Sequence, residues 1–271
     1  MEHLLSIWPE IAGKLKVAKN IWLFTDYDGT LTPIVQRPEQ ANLSKNTRNI
    51  LEMLARCRGL NIGIISGRAI SELKNLVQVT GIYYAGNHGM EIEGPGMHYL
   101  YPVAQDIQKL LKILHKVLTK ALYGIHGVVI EDKGLTLSVH YRQVDRNHVE
   151  NVKDIFNRSI GGLNATKKIR ITTGKEILEV RPTIDWNKGK AIKLILKRSK
   201  NVIKEESVVY IYLGDDLTDE DAFSQANKYN NSITVFVGNN SQVSEARYYL
   251  NSTGEVTCFL EQLLVLTRSP I

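Results

Sequence analysis

The sequence predicts an α/β protein: a Rossmann-like parallel-sheet core interrupted by an inserted α+β domain of αββαββ order. Three observations carry that expectation. Short, continuously apolar runs alternate with helical stretches at both ends of the chain; two of those runs break into acid, "IWLFTDYDG" and "VVYIYLGDD"; and the middle changes to helix, hairpin, helix, hairpin. Apolar runs of this length, bounded by Gly and acid, fit strands covered on both faces, and strands alternating with helices build a parallel sheet.

In chain order, an opening helix is expected with Leu4, Leu5, Ile11 and Leu15 on its apolar side and a kink at Pro9. The first buried strand occupies 21–25. Ser44 is placed to cap a helix carrying Ile50, Leu51, Leu54 and Ala55 that stops at Gly59. A second strand at 61–66, a helix over 69–79 and a third strand at 82–86 follow. A long helix over 104–122 then precedes "GVVIED" and "LTLSVHYR", joined by the turn Asp132-Lys133-Gly134. A helix over 145–159 leads to "KIRITT" and "EILEVR", joined around Gly174. After Pro182 the first pattern returns, with "SVVYIYLGDD", a helix over 219–229, a strand at 233–238 and a closing helix over 255–264. The core is therefore expected at 1–103 and 182–271, and the insertion at 104–181.

At 43% hydrophobic, 23% charged and 7% aromatic, the 271 residues hold no composition that calls for long disorder. The net charge of +6 suits an anionic substrate by steering, and equally suits plain solubility. Lys and Arg are scattered among Asp and Glu without an aromatic-interleaved basic block, so a nucleic-acid partner is not expected. Cys57 and Cys258 form no CxxC, which implies neither a disulfide framework nor a zinc site. The N-terminal stretch has no basic start followed by a long apolar run, and no segment approaches a membrane span. The expectation is a cytoplasmic monomer acting on a small molecule, with no membrane association.

Three core strands end in reactive residues. The first ends at Asp26 and Asp28, the second at Ser66, Gly67 and Arg68, and the strand after the insertion at Asp215 and Asp216, with Asp219 a turn later. Parallel strands gather these ends at one edge of the sheet, outside which ligands bind. So many carboxylates need a counter-charge; oxygen-only ligation with no His or Cys beside it matches a hard cation, and Mg²⁺ is the natural choice. The candidate ligands are Asp26, Asp28, Asp215, Asp216 and Asp219.

An aspartate at such a metal can also be a nucleophile that forms an aspartyl phosphate, a role that suits Asp26. Asp28 is placed to protonate the leaving oxygen and later take a proton from water. Ser66 can bond a phosphate oxygen, and Lys188 of "WNKGK" can neutralise phosphoryl charge.

In the insertion, period-2 reading of "LTLSVHYR" sets Leu135, Leu137, Val139 and Tyr141 on one face and Thr136, Ser138, His140 and Arg142 on the other. "LEVR" likewise opposes Leu178 and Val180 to Glu179 and Arg181. The polar face fits either a solvated sheet or a surface for a polyhydroxylated ligand.

"DYDGT", "ISGR", the lysine of "WNKGK" and "GDDLTDED" together resemble the haloacid dehalogenase superfamily of aspartate-nucleophile phosphatases. With "GNHGMEIE", "EDKGLTLSVHYR" and "LEVRP", the chain from about residue 21 to its final helix resembles the trehalose-6-phosphate phosphatase family. That resemblance implies a stand-alone, Mg²⁺-dependent phosphatase that hydrolyses trehalose 6-phosphate, with the insertion as a C2B-type cap that closes over the site. It implies that Glu131, Lys133 and Glu179 contact glucose hydroxyls. Arg142, Arg181, the Asn87-His88-Gly89 turn, Gly67 and Arg68 are expected as further substrate contacts. The alternatives are a phosphatase of the same fold for another phosphosugar, such as sucrose phosphate or a glycosyl phosphoglycerate, a sugar phosphomutase, or a non-catalytic binding module.

Overall fold

The computed structural model describes residues 1–103, 105–164, 167–199, 207–239 and 243–268. Along the chain come β1 (Glu2–His3), α1 (Trp8–Lys16), β2 (Asn20–Thr25), α2 (Lys45–Ala55), β3 (Leu60–Ile65), α3 (Ile70–Val77), β4 (Tyr83–Gly86), β5 (Glu91–Gly94) and β6 (Met97–Leu100). They are followed by α4 (Gln105–Ala121), β7 (Val129–Asp132), β8 (Leu137–His140), α5 (Arg146–Asn164), β9 (Ile169–Gly174) and β10 (Ile177–Pro182). The chain ends with α6 (Lys188–Arg198), β11 (Val208–Gly214), α7 (Glu220–Ala226), β12 (Ser232–Val237), β13 (Tyr248–Leu250) and α8 (Thr253–Arg268). Two compact units result, Met1–Leu100 with Trp186–Ile271, and Tyr101–Asp185.

In the first unit a nine-stranded sheet runs in the order β1-β13-β12-β11-β2-β3-β4-β5-β6. All its pairings are parallel except β4 with β5 and β5 with β6. Every residue of β2 is buried, as its unbroken apolar run requires. Alternation then sends Ile21 and Leu23 to one face, against α1, α2, α3 and α8, and Trp22 and Phe24 to the other, against α6 and α7. Each such large side chain contributes about 1.5–3 kcal/mol on burial, so β2 is pinned at the centre of a three-layer sandwich.

The second unit is a four-stranded antiparallel sheet, β7-β8-β10-β9. Leu137 and Val139 of β8 and Leu178 and Val180 of β10 pack with Leu111, Leu114 and Leu118 of α4 and Val152, Phe156 and Ile160 of α5. The face bearing Glu131, Ser138 and Glu179 is the polar one.

Several elements differ from expectation. Pro9 kinks nothing: it lies in the first turn of α1, where a missing N–H costs no helical bond. Helix α2 ends at Ala55, before Gly59, and Ser44 caps it by accepting from Thr47 N at 3.0 Å. Gly59 has φ +80°, and a Cβ there would sit 2.7 Å from the Lys19 carbonyl, so it serves the turn into β3 rather than the helix end. The hairpin β5–β6 and the short β1 and β13 extend the sheet beyond its expected strands. No helix among the described residues is long and apolar enough to cross a membrane.

Candidate active site

Register gathers the reactive strand ends of the first unit. Thr25 of β2 pairs with Leu213 of β11 and with Ile64 of β3, and Ile65 of β3 pairs with Ala85 of β4. Asp26 N–H donates to Leu213 O at 2.8 Å and Ser66 N–H to Ala85 O at 2.9 Å, which carries the ladder one residue past the strands. The site thus opens at the carboxyl ends of β11, β2, β3 and β4. There β2 is flanked by β3 on one side and by the late strand β11 on the other, a topological switch point.

Asp26, Asp215 and Asp219 are buried, and each offers an oxygen within 4.8 Å of the others. A glycine makes this approach feasible. Gly29 has φ +83°, and a Cβ there would lie 2.1 Å from Asp215 Oδ2. Lys188, the first residue of α6, donates from Nζ to Asp26 Oδ1 at 2.8 Å and to Asp219 Oδ1 at 2.7 Å. It is aimed there because Asn187 caps α6, accepting from Lys190 N at 2.9 Å.

Asp219 is saturated. Its Oδ1 accepts from Lys188 and from Tyr212 Oη at 2.6 Å, and its Oδ2 from the N–H groups of Asp215 at 3.0 Å and Asp216 at 3.1 Å. Those four donors match the about four lone-pair positions of a carboxylate, so Asp219 acts as a buried bracket for the lysine and the loop. Asp216 turns to its own capping turn, taking Thr218 N at 2.8 Å and Thr218 Oγ1 at 2.7 Å on Oδ1. Asp28 is held by Arg68, whose Nε and Nη2 each reach one of its oxygens at 2.7 Å. The structure therefore brings Asp26, Asp215, Asp219 and Lys188 together, and leaves the side chains of Asp28 and Asp216 outside that trio of carboxylates.

Burial is the largest influence on Asp26 and raises its carboxyl well above the ordinary range. Lys188 opposes this, while Asp219, Asp215 and Asp216 add to it. Asp219 is raised for the same first reason, again against Lys188. Burial works against the charge on Lys188, yet Asp219, Asp26 and Asp216 outweigh it and the ammonium is held above its ordinary value. Three buried carboxyls lie beside one ammonium, so ionising all three would put more negative than positive charge in the set. An oxygen-only donor set of this kind fits a hard divalent cation.

Ser66, Gly67 and Arg68 follow β3. Ser66 Oγ accepts from Arg68 N at 3.2 Å. Gly67 leaves room for His88: a Cβ on it would meet the imidazole at 2.6 Å. Asn87 and His88 have φ of 49° and 56°, left-handed values uncommon away from glycine. They are locked there by Asn87 N–H to Arg68 O at 2.7 Å and His88 N–H to Ser66 O at 2.9 Å. Arg68 also donates to Glu72 and to Pro38 O, so it braces the loop that carries Asp28.

In the second unit Glu179 is buried. Its Oε1 takes Lys133 Nζ at 3.4 Å and Ser138 Oγ at 3.5 Å, and its Oε2 takes Arg181 Nε at 2.5 Å. His140 Nε2 and Glu131 Oε2 lie 3.0 Å apart. Glu131, Lys133, Glu179 and Arg181 therefore form one network. Arg142 binds the β9–β10 turn instead, donating to Glu176 Oε2 at 2.9 Å and Lys175 O at 2.6 Å, because it lies beyond the paired end of β8.

Tyr212 was absent from the expected site. The second tyrosine of the strand VVYIYLG, two residues before Gly214, is the available signal, since a buried phenol needs a partner. His140 was visible in the alternation of "LTLSVHYR", though not its pairing with Glu131.

The α/β/α sandwich matches the fold of a solved haloacid dehalogenase-like hydrolase. A haloacid dehalogenase-like hydrolase from Bacteroides thetaiotaomicron superposes with a TM-score of 0.62 at 17% identity, covering 90% of this chain and 100% of that one. The trehalose-phosphatase family model matches residues 24–254. A probable trehalose-phosphate phosphatase H from Arabidopsis thaliana is 36% identical over 263 residues, spanning 92% of this chain and 73% of the relative. The C-terminal domain of the trehalose-6-phosphate phosphatase of C. albicans has a TM-score of 0.81 at 27% identity, covering 95% of this chain and 97% of that one. The chain belongs to the trehalose-phosphatase family.

Proposed function

We propose that this protein hydrolyses trehalose 6-phosphate to trehalose and phosphate through an aspartyl phosphate on Asp26. The observation that carries the chemistry is the buried pairing of Asp26 with Lys188 beside Asp215. The names of the relatives, trehalose-phosphate phosphatases, direct the choice of sugar.

Asp26 and Asp215 would hold Mg²⁺, with Asp219 engaged on Lys188 and the loop. When bound, the metal supplies positive charge that draws the phosphoryl group's negative charge. An Oδ atom of Asp26 attacks phosphorus and forms a P–O bond. The bond to the sugar oxygen breaks, and that oxygen takes a proton from the Asp28 carboxyl. Water then attacks the phosphoryl group, gives a proton back to Asp28, and returns Asp26 as a carboxylate. To move protons, Asp28 has to give up at least one of its two hydrogen bonds with Arg68. Ser66 Oγ, already accepting from Arg68 N–H, keeps its own O–H to donate to a phosphoryl oxygen. Lys188 offsets the charge shared between Asp26 and the phosphoryl group.

The Glu131, Lys133, Glu179 and Arg181 network would read sugar hydroxyls, since it offers charged acceptors and donors in one plane of the sheet. The insertion then acts as the specificity domain and the nine-stranded unit as the catalytic core. Phosphate release tests this on a panel of trehalose 6-phosphate, sucrose 6-phosphate, a glycosyl phosphoglycerate and a small phosphate ester. The expected result is preference for trehalose 6-phosphate, lost in chelator and restored by Mg²⁺. Full turnover in chelator would sink the metal assignment, and preference for another sugar the substrate.

A further inference from the structure

Strand register lays the polar face of the second unit's sheet out in rows. Glu131 of β7 stands opposite Ser138 of β8, Ser138 opposite Glu179 of β10, and Glu179 opposite Thr172 of β9. Directly opposed residues share a face with Cβ atoms about 4.5–5.5 Å apart. The four therefore make one transverse row: carboxylate, hydroxyl, carboxylate, hydroxyl.

The two hydroxyls differ. Ser138 Oγ donates to Glu179 Oε1 at 3.5 Å, whereas Thr172 Oγ1 is buried and has no hydrogen-bond partner among the described residues. A buried hydroxyl without a partner destabilises the fold, and natural structures keep few of them. Valine would fill almost the same shape on a β-strand without that cost. At the end of a row of sugar-type acceptors and donors, a hydroxyl that both donates and accepts is the matching partner for a sugar hydroxyl.

We propose that Thr172 is a further specificity residue, its Oγ1 bonding a hydroxyl of the bound phosphosugar. This rests on the reading that Glu131 and Glu179 receive the sugar. The lost stability in the free protein is then the counterpart of a contact made only when substrate is present.

Thr172→Val tests it, measured beside Thr172→Ser and Glu131→Ala on trehalose 6-phosphate and a small phosphate ester. In Thr172→Val, kcat/KM for trehalose 6-phosphate should fall roughly 3- to 10-fold, the size of one neutral hydrogen bond, chiefly through KM. Turnover of the ester should not change, and the Tm of the free protein should stay level or rise. Thr172→Ser should keep most of the wild-type activity. Unchanged kinetics on the sugar phosphate, with Glu131→Ala still losing trehalose 6-phosphate turnover but not ester turnover, would overturn the role of Thr172 and leave the cap reading standing. A lowered Tm with equal losses on both substrates would also overturn it, since the hydroxyl would then be a structural group satisfied by ordered water. Equal losses on both substrates in Glu131→Ala would remove the cap reading, and the role of Thr172 with it.

Discussion

Around Asp26, three buried carboxylates face one ammonium; on the second unit's sheet, Glu131 and Glu179 face Lys133, Arg181 and His140. Ionised in full, the first set would carry more negative than positive charge. The second is close to neutral within itself. A site that must gather a cation and a phosphoryl dianion gains from unbalanced acid, because the missing positive charge arrives with its ligands. A site that reads neutral hydroxyls gains from charges that already hold one another in place, since each pair fixes the other's geometry at little cost on binding. Under the proposed function, the contrast assigns chemistry and recognition to different segments of the chain.

The sharpest way to break the comparison is to remove the proposed nucleophile. Asp26→Asn should lower phosphate release by roughly 10³-fold or more while the fold is kept, because Asn still accepts from Lys188. Retained turnover would mean that another group attacks phosphorus.

A smaller effect follows from the unbalanced charge. Burial, with the neighbouring acids, raises the carboxyl of Asp26 above its ordinary 3.8. In metal-free protein the native state therefore keeps a proton that the unfolded chain has released. Stability falls as pH rises from that ordinary value through the raised one. Asp26→Asn abolishes this titration, so in chelator its Tm should exceed that of wild type at neutral pH, by roughly 2–4 °C for each kcal/mol recovered. The gap should close near pH 3, where both side chains are neutral. A variant less stable than wild type at neutral pH would show that the ionised Asp26–Lys188 pair stabilises the fold despite its burial.

Much of the core was legible because strands buried on both faces read as unbroken apolar runs, as in the run through Ile21, Leu23 and Phe24. The hairpin β5–β6 was not, since "EIEG" and "MHYL" are four-residue strands with charged or polar residues and no long apolar signal. Positions of the reactive residues at strand ends could be read directly. Their partners could not: the Arg68–Asp28 pair joins positions 40 residues apart, and Lys188–Asp26 joins positions 162 apart. Spacing carries no information at that range. Nor does it distinguish Ser138, whose hydroxyl is bonded, from Thr172, whose hydroxyl has no partner among the described residues.

The division of labour is tested most directly by the ratio of kcat/KM for trehalose 6-phosphate to that for a small phosphate ester in Glu131→Ala. Removing one charged hydroxyl reader should lower this ratio by roughly 10-fold or more while ester turnover stays at the wild-type level. Equal losses on both substrates, leaving the ratio unchanged, would contradict it.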